Sequence, residues 1–191
     1  DKFTQIEKEF GSEAVWPYYY AGTMGLLMRD GINRIRHEKK YSGEHQTICT
    51  NQAFNGYLAG AGKMLGVDPL EIREADNVVI WGTNAAVTQI NVMNHANEAR
   101  RTRKAKIIVV DSYENATARQ ADLFLCVKPG TDGALACGVM NYLIKNNLHD
   151  VHYLNTFTDF NNEFLEHLEN KNIEWASNIS GVEKTKIEQF A

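Results

Sequence analysis

Three short apolar runs, NVVIW (77–81), KIIVVD (106–111) and DLFLCV (122–127), constrain this chain more than any other feature. Each is too short for a helix and is bounded by turn-forming residues, so each reads as a strand. Their apolar residues are continuous rather than alternating, the pattern of strands covered on both faces by helices. Helical patterns separate them. One runs from about 85 to 103, a short helical turn lies near 115–119, and ALACGVMNYLIKNN follows the third run. This alternation predicts an α/β fold with a doubly wound, mainly parallel, Rossmann-like sheet.

Upstream, AVWPYYY (14–20) is expected to be extended, because Pro17 cannot sit in a helix interior. TMGLLMRDGINRIR places Leu26, Leu27, Ile32 and Ile35 on one helical face. HQTIC (45–49) reads as a short strand, NQAFNGYLAGAGKML as a helix ending near Gly66, and Pro69 as the start of a turn. From about His149 the sequence is helical and polar. The expected division is a Rossmann-like domain over 1–148 and a helical C-terminal extension of that domain over 149–191.

Composition closes several classes. No apolar run reaches the roughly 18 residues of a membrane span. The net charge of −4 argues against a dedicated nucleic-acid binder. The one basic run, RRTRKAK (100–106), falls where a helix should end, and cations there complement the helix dipole. Three scattered cysteines, Cys49, Cys126 and Cys137, form no C-x-x-C pair. They suit a reducing compartment, hence a cytoplasmic location, rather than a zinc or disulfide framework. Cys126 in a strand and Cys137 in a helix read as core. GYLAGAGKML lacks the spacing and the Ser or Thr of a phosphate-binding P-loop, and no G-x-G-x-x-G follows a strand, so an ordinary NAD site is disfavoured.

In an open parallel sheet, ligands bind off the carboxyl ends of the strands. Three such ends carry polar or small residues. Trp81-Gly82-Thr83-Asn84 joins the first strand to a helix, Asp111 ends the second, and Pro129-Gly130-Thr131-Asp132 opens the helix after the third. Individually these have ordinary explanations: Thr83 or Asn84 as helix caps, Asp111 as a turn residue, Asp132 as a cap. Together they point to a nucleotide-like ligand at one sheet edge.

Four blocks in order resemble the molybdopterin oxidoreductases, the superfamily of dimethyl-sulfoxide reductases, formate dehydrogenases and nitrate reductases. FGSEAVWPYYYAGTMG resembles the segment leading into the family's dinucleotide-binding-like domain. DPLEIREADNVVIWGTNAAVT is similar to its Trp-Gly-x-Asn block. KIIVVDSYENATARQADLFLCVKPGTDGALACGVMNYLI is similar to its most specific block, VVDPR-x-T-x-T-A-x-x-AD…PGTD-x-AL. NIEWASNISGVEKTKIEQFA resembles the segment that hands the chain to the next domain. Two departures stand out: DSYENAT replaces the common Asp-Pro-Arg, and Gln89-Ile90-Asn91 lacks a proline.

The resemblance implies a cofactor, molybdopterin guanine dinucleotide, carrying molybdenum or tungsten. It implies that Trp81, Gly82, Thr83, Asn84, Asp111, Ser112, Tyr113, Gly130, Thr131 and Asp132 contact the guanosine diphosphate arm. It also implies that Cys49, otherwise a buried small hydrophobe, is the catalytic thiolate and metal ligand, a soft donor at a helix start. The implied activity is two-electron redox or oxygen-atom transfer. Relatives in this family are several times longer, so the chain is expected to be an internal piece of a catalytic subunit, inactive alone. An iron–sulfur cluster, and any export signal, would lie upstream. The implied partners are the remaining domains of that subunit and electron-transfer subunits, with neither nucleic acid nor a direct membrane span. The alternative is a cofactor-free Rossmann-like scaffold or assembly module.

Overall fold

The computed structural model describes residues 1–19, 25, 31–44 and 50–191. The expected strand at 45–49, with Cys49, and the stretch bearing Leu26 and Leu27 lie outside those residues. Two compact units divide the chain, residues 1–66 and 67–191.

The first unit contains α1 (Lys2–Phe10), a 3-10 turn (Ser12–Ala14), α2 (Gly31–Lys39) and α3 (Thr50–Ala61). Residues 15–19 form no regular element, as Pro17 requires. Val15 and Tyr41 are its buried apolar residues among those described. The Phe3 ring meets Tyr41 edge-on at 6.1 Å. The Tyr41 hydroxyl donates to Glu7, which also pairs with Lys39 at 3.3 Å. The Tyr41 hydrogen bond holds the Glu7 carboxyl below the usual carboxylate range. The same bond pushes the Tyr41 phenol up to about 12.

The second unit opens on a 3-10 turn (Pro69–Glu74), capped by the Asp68 side chain accepting from Leu70 N. Then follow β1 (Asn77–Trp81), α4 (Ala85–Thr88), α5 (Ile90–Arg103), β2 (Lys106–Asp111), a 3-10 turn (Ala118–Gln120), β3 (Leu123–Cys126) and α6 (Asp132–Lys145). The tail contains α7 (Val151–Phe157), α8 (Asn162–Leu168), α9 (Ile173–Ser180) and α10 (Lys184–Phe190). The three strands form one parallel sheet in the order β1-β2-β3.

Strand periodicity sorts the core into two layers. Ile107 and Val109 of β2, with Val78 and Ile80 of β1, pack under Met93 and Ala96 of α5. Ile108 and Val110, with Leu123 and Leu125 of β3, face Leu135 of α6, Ile173 and Ala176 of α9 and Ile187 of α10. The sheet is therefore wound on both sides, and the C-terminal helices complete one of its layers. Coverage is full for β2 but not for β1. Val79 is 45% exposed, so the expectation of two covered faces fails at this edge strand.

The single helix expected over 85–103 is interrupted. Gln89, at φ −142° and ψ 57°, leaves helical geometry between α4 and α5. The first tight contact between α6 and α9 is at Gly138, where a Cβ would stand 2.4 Å from that of Ala176. Among the described residues no helix is long and apolar enough to cross a membrane.

Candidate nucleotide-binding edge of the sheet

Parallel register brings the three polar turns together. Trp81 is level with Val110, and Asp111 with Cys126, so all three strands end on the same edge. The ladders run on past the strands: Gly82 N–H donates to Val110 O at 2.9 Å, and Val127 N–H to Asp111 O at 3.0 Å. Gly82 (φ 67°) and Gly130 (φ 81°) both adopt the left-handed conformation that side chains disfavour, and a Cβ on either would meet nothing within 4 Å. Each turn thus keeps its backbone bare and open to approach.

The side chains of the edge are tied to one another. The Trp81 indole N–H donates to Asp132 Oδ1 at 2.7 Å, linking the first turn to the third. Asp132 is the first residue of α6 and not its cap. The cap is Thr131, whose hydroxyl turns back to Lys128 O at 2.6 Å. A carboxylate at that first position complements the helix dipole; Ala134 N–H already donates to Thr131 O at 3.0 Å, which leaves the N–H groups of Asp132 and Gly133 as the open ones of the first turn. Thr83 Oγ1 donates to Gln89 Oε1 at 2.9 Å, across the break between α4 and α5. Asn84 caps α4 by position, with no side-chain bond to its N–H groups. Asp111 Oδ1 accepts from Ser112 N at 2.7 Å, the turn role its sequence position allowed. Ser112 and Tyr113 are exposed beside it.

Two residues that sequence reasoning passed over hold this edge from below. Asn115 and Thr117 are buried polar side chains. Asn115 Nδ2 donates to Asp111 Oδ2 at 2.7 Å, and its Oδ1 accepts from the N–H groups of Thr117 and Ala118, both at 2.9 Å. The Thr117 hydroxyl accepts from Ala86 N and donates to Asn84 Oδ1, each at 2.9 Å. The signal in the sequence was the block VVDPR-x-T-x-T-A itself, whose second threonine falls on Thr117 and whose first is replaced by Asn115.

At the opposite edge, the basic run acts as cement. Arg100 Nη2 donates to Asp122 Oδ2 at 2.9 Å and to Gln120 O at 2.6 Å, and Arg103 pairs with Asp76 at 2.9 Å. Asp122 also accepts from Ile107 N at 2.8 Å. That backbone bond, with the Arg100 charge, holds its carboxyl below the ordinary aspartate value.

Of the cysteines, Cys126 departs from expectation. It is exposed, because it ends β3 on the side opposite to buried Leu125, and its Sγ lies 3.5 Å from Ser112 O at the polar edge. Cys137 is half-buried in α6. Cys49 lies outside the described residues. Among the described residues no group of three His, Cys, Asp or Glu is placed to hold a metal.

Comparison with known proteins decides the family. The family model for molybdopterin oxidoreductase matches residues 10–178. The chain belongs to the molybdopterin oxidoreductase family. It is 37% identical over 191 residues to "Probable oxidoreductase YoaE" of Bacillus subtilis, covering all of this chain and 28% of that protein. It is 31% identical over 162 residues to "Formate dehydrogenase H" of Escherichia coli, covering 85% of this chain and 21% of the relative. The chain therefore spans about a quarter of the length of such relatives. Nitrate and dimethyl sulfoxide reductases are also among its relatives. The acetylene hydratase of Pelobacter acetylenicus shares the fold, with a TM-score of 0.63 at 19% identity over 99% of this chain and 26% of that one.

Proposed function

We propose that the chain is the cofactor-holding part of a molybdopterin-dependent oxidoreductase, and that its polar sheet edge grips the guanosine diphosphate arm of one molybdopterin guanine dinucleotide. One observation carries the reading: three turns, each with an open backbone or an outward polar group, end on one edge of one parallel sheet.

The donor set fits that group. Guanosine presents N–H donors on its base and hydroxyls on its ribose, and Asp132 Oδ2 and Asp111 provide carboxylate acceptors for them. A carboxylate can take several hydrogen bonds, so Asp111 retains capacity beyond Ser112 and Asn115. Diphosphate oxygens need donors, and the first N–H groups of α6 and the backbone of the Gly82 and Gly130 turns provide them. Trp81 holds Asp132, Thr83 holds Gln89 at the helix break, and Thr131 closes the third turn. Ser112 and Tyr113 flank the ribose or phosphate side at the place where relatives carry Pro-Arg.

The bound molybdopterin would supply two-electron redox or oxygen-atom transfer chemistry. This chain's residues would bind its nucleotide arm, orient it and keep it on the sheet. Cys49 is proposed as the thiolate ligand of the metal from its place in the sequence, one βα unit ahead of Trp81, and from the family resemblance, which also implies the iron–sulfur cluster expected of a longer subunit. The proposed partners are further domains of that catalytic subunit and electron-transfer subunits.

Calorimetric titration of the 191-residue chain with GDP and with ADP tests the proposal. GDP should bind at least tenfold more tightly than ADP, because only guanine has two adjacent donors, N1–H and N2–H, that can bond one carboxylate together. Equal affinity, or no GDP binding, would overturn it.

A further inference from the structure

The buried pair beneath the polar edge sets the direction in which the edge residues point. Thr117 is fully enclosed, and its hydroxyl meets two polar groups. One is the Ala86 N–H, which can only donate. The hydroxyl proton must therefore go to the other, Asn84, and Asn84 must turn its oxygen inward to receive it. The Asn84 Nδ2, with no protein partner among the described residues, is then left facing out at the Gly82 turn. The same device repeats one strand over. Asn115 turns its oxygen toward the N–H groups of Thr117 and Ala118, so its amide nitrogen must meet Asp111 Oδ2.

We infer that Thr117 and Asn115 are positioning residues: one buried chain, Ala86–Thr117–Asn84 and Thr117–Asn115–Asp111, fixes a donor at the end of β1 and an acceptor at the end of β2. The inference rests on the nucleotide reading of this edge for its purpose, but the direction of the Asn84 amide does not depend on it. The polarity of the edge is set from inside, by residues that touch no ligand. An Asn84 free to rotate would present oxygen half the time, and an outward oxygen repels phosphate and carbonyl oxygens alike. The chain also explains why Thr117 and Asn115 are polar in a core: the hydroxyl of one and the amide oxygen and nitrogen of the other all meet partners.

The test uses the 191-residue chain with GDP as probe and four variants. In nitrogen-labelled wild type, the Asn84 side-chain NH2 signals should exchange freely with water and show weak cross-peaks to the Thr117 methyl. Thr117→Ser keeps the hydroxyl and should keep the free exchange of the Asn84 NH2 and the GDP affinity. Thr117→Val removes it and should move the Asn84 NH2 signals and weaken GDP at least fivefold. Asn84→Asp leaves the inward oxygen in place and replaces the outward donor by an acceptor. It should keep the wild-type melting temperature within a few degrees and weaken GDP at least tenfold. Asn115→Ala should weaken GDP through Asp111 while leaving the Asn84 signature in place, a split that general loss of folding would not give. If Thr117→Val does not fold, the Asn84→Asp result decides. Wild-type Asn84 NH2 signals protected from water and close to the Thr117 methyl would overturn the inference, as would an Asn84→Asp protein with unchanged GDP affinity. A wild type with the expected Asn84 signature but no GDP binding would instead overturn the nucleotide reading and leave the orientation standing.

Discussion

Gly138→Ala should destabilise the second unit even though it puts the best helix former into a helix. The substitution has two opposed effects. Inside a helix, alanine gains about 1 kcal/mol over glycine from backbone entropy and buried hydrogen bonds. Against this, the new Cβ would stand 2.4 Å from the Ala176 Cβ and 3.6 Å from Asn172 O. Carbon atoms rest about 3.5–4.0 Å apart, so α6 and α9 would have to part by roughly 1 Å or more. Ala176 is fully buried and cannot rotate away, and the parting would loosen Leu135 against Ile173 in the same layer. Overpacking of this kind costs about 1–3 kcal/mol, and the strain here involves backbone on both sides. With a Cβ approach as short as 2.4 Å the cost falls in the upper half of that range, about 2–3 kcal/mol, so the second effect wins, for a net loss of about 1–2 kcal/mol. At about 3–5 °C per kcal/mol for a unit of this size, thermal unfolding should come about 3–10 °C earlier. Gly133→Ala is the control, since its Cβ would meet nothing within 4 Å. It should melt at or slightly above wild type, with a gain of up to about 1 kcal/mol. A Gly138→Ala protein as stable as Gly133→Ala would refute the close approach of α6 and α9.

Other perturbations separate the remaining contacts. Asp132→Ala should lower GDP affinity about ten- to a hundredfold, the worth of a charge-assisted hydrogen bond, while changing stability by about 1 kcal/mol or less, because the bond lost within the protein is the exposed one from Trp81. Calorimetry and melting of the same variant check both halves. The Asp122 carboxyl is held low in the folded state, so its contribution is full above the unfolded aspartate value of about 4 and fades as pH falls through the folded value. Asp122→Asn should therefore cost stability at neutral pH and flatten the fall in melting temperature below about pH 4. The Tyr41 phenol should ionise near 12 in an ultraviolet titration, and Glu7→Gln should return it toward about 10.

What the sequence disclosed depended on how local the governing physics was. Val-Ile runs fix strands through side-chain sterics and burial, and β1 and β2 lie within a residue of the positions read from them. The three turns were visible because glycine and polar residues after a buried strand have few other uses. The break at Gln89 was not visible, for neither glycine nor proline marks it, and it coincides with the contact from Thr83 that closes only when the chain is folded. Asp132 has the composition of a cap, yet Thr131 takes that place and frees Asp132 for a Trp81 that lies 51 residues away. Thr117 falls on a fixed threonine of the family block, but its role was not legible there, because it lies in the contact with Asn84, 33 residues upstream. Cys126 sits in an apolar run, but the alternation of a strand turns its last residue away from the core that Leu125 enters. The uncovered Val79 belongs to the same class: a continuous apolar run shows that both faces can be buried, not that both are.

Backbone amide shift mapping of the nitrogen-labelled chain during GDP titration goes straight to the nucleotide edge. The signals of Gly82, Thr83, Asn84, Ser112, Tyr113, Gly130, Thr131 and Asp132 should move together with one saturation curve, while those of Arg100, Arg103 and Asp122 at the far end of the strands stay still. Shifts confined to one turn, shifts centred on the Asp122 end, or a spectrum unchanged by GDP would contradict a guanosine diphosphate site built across the three strand ends.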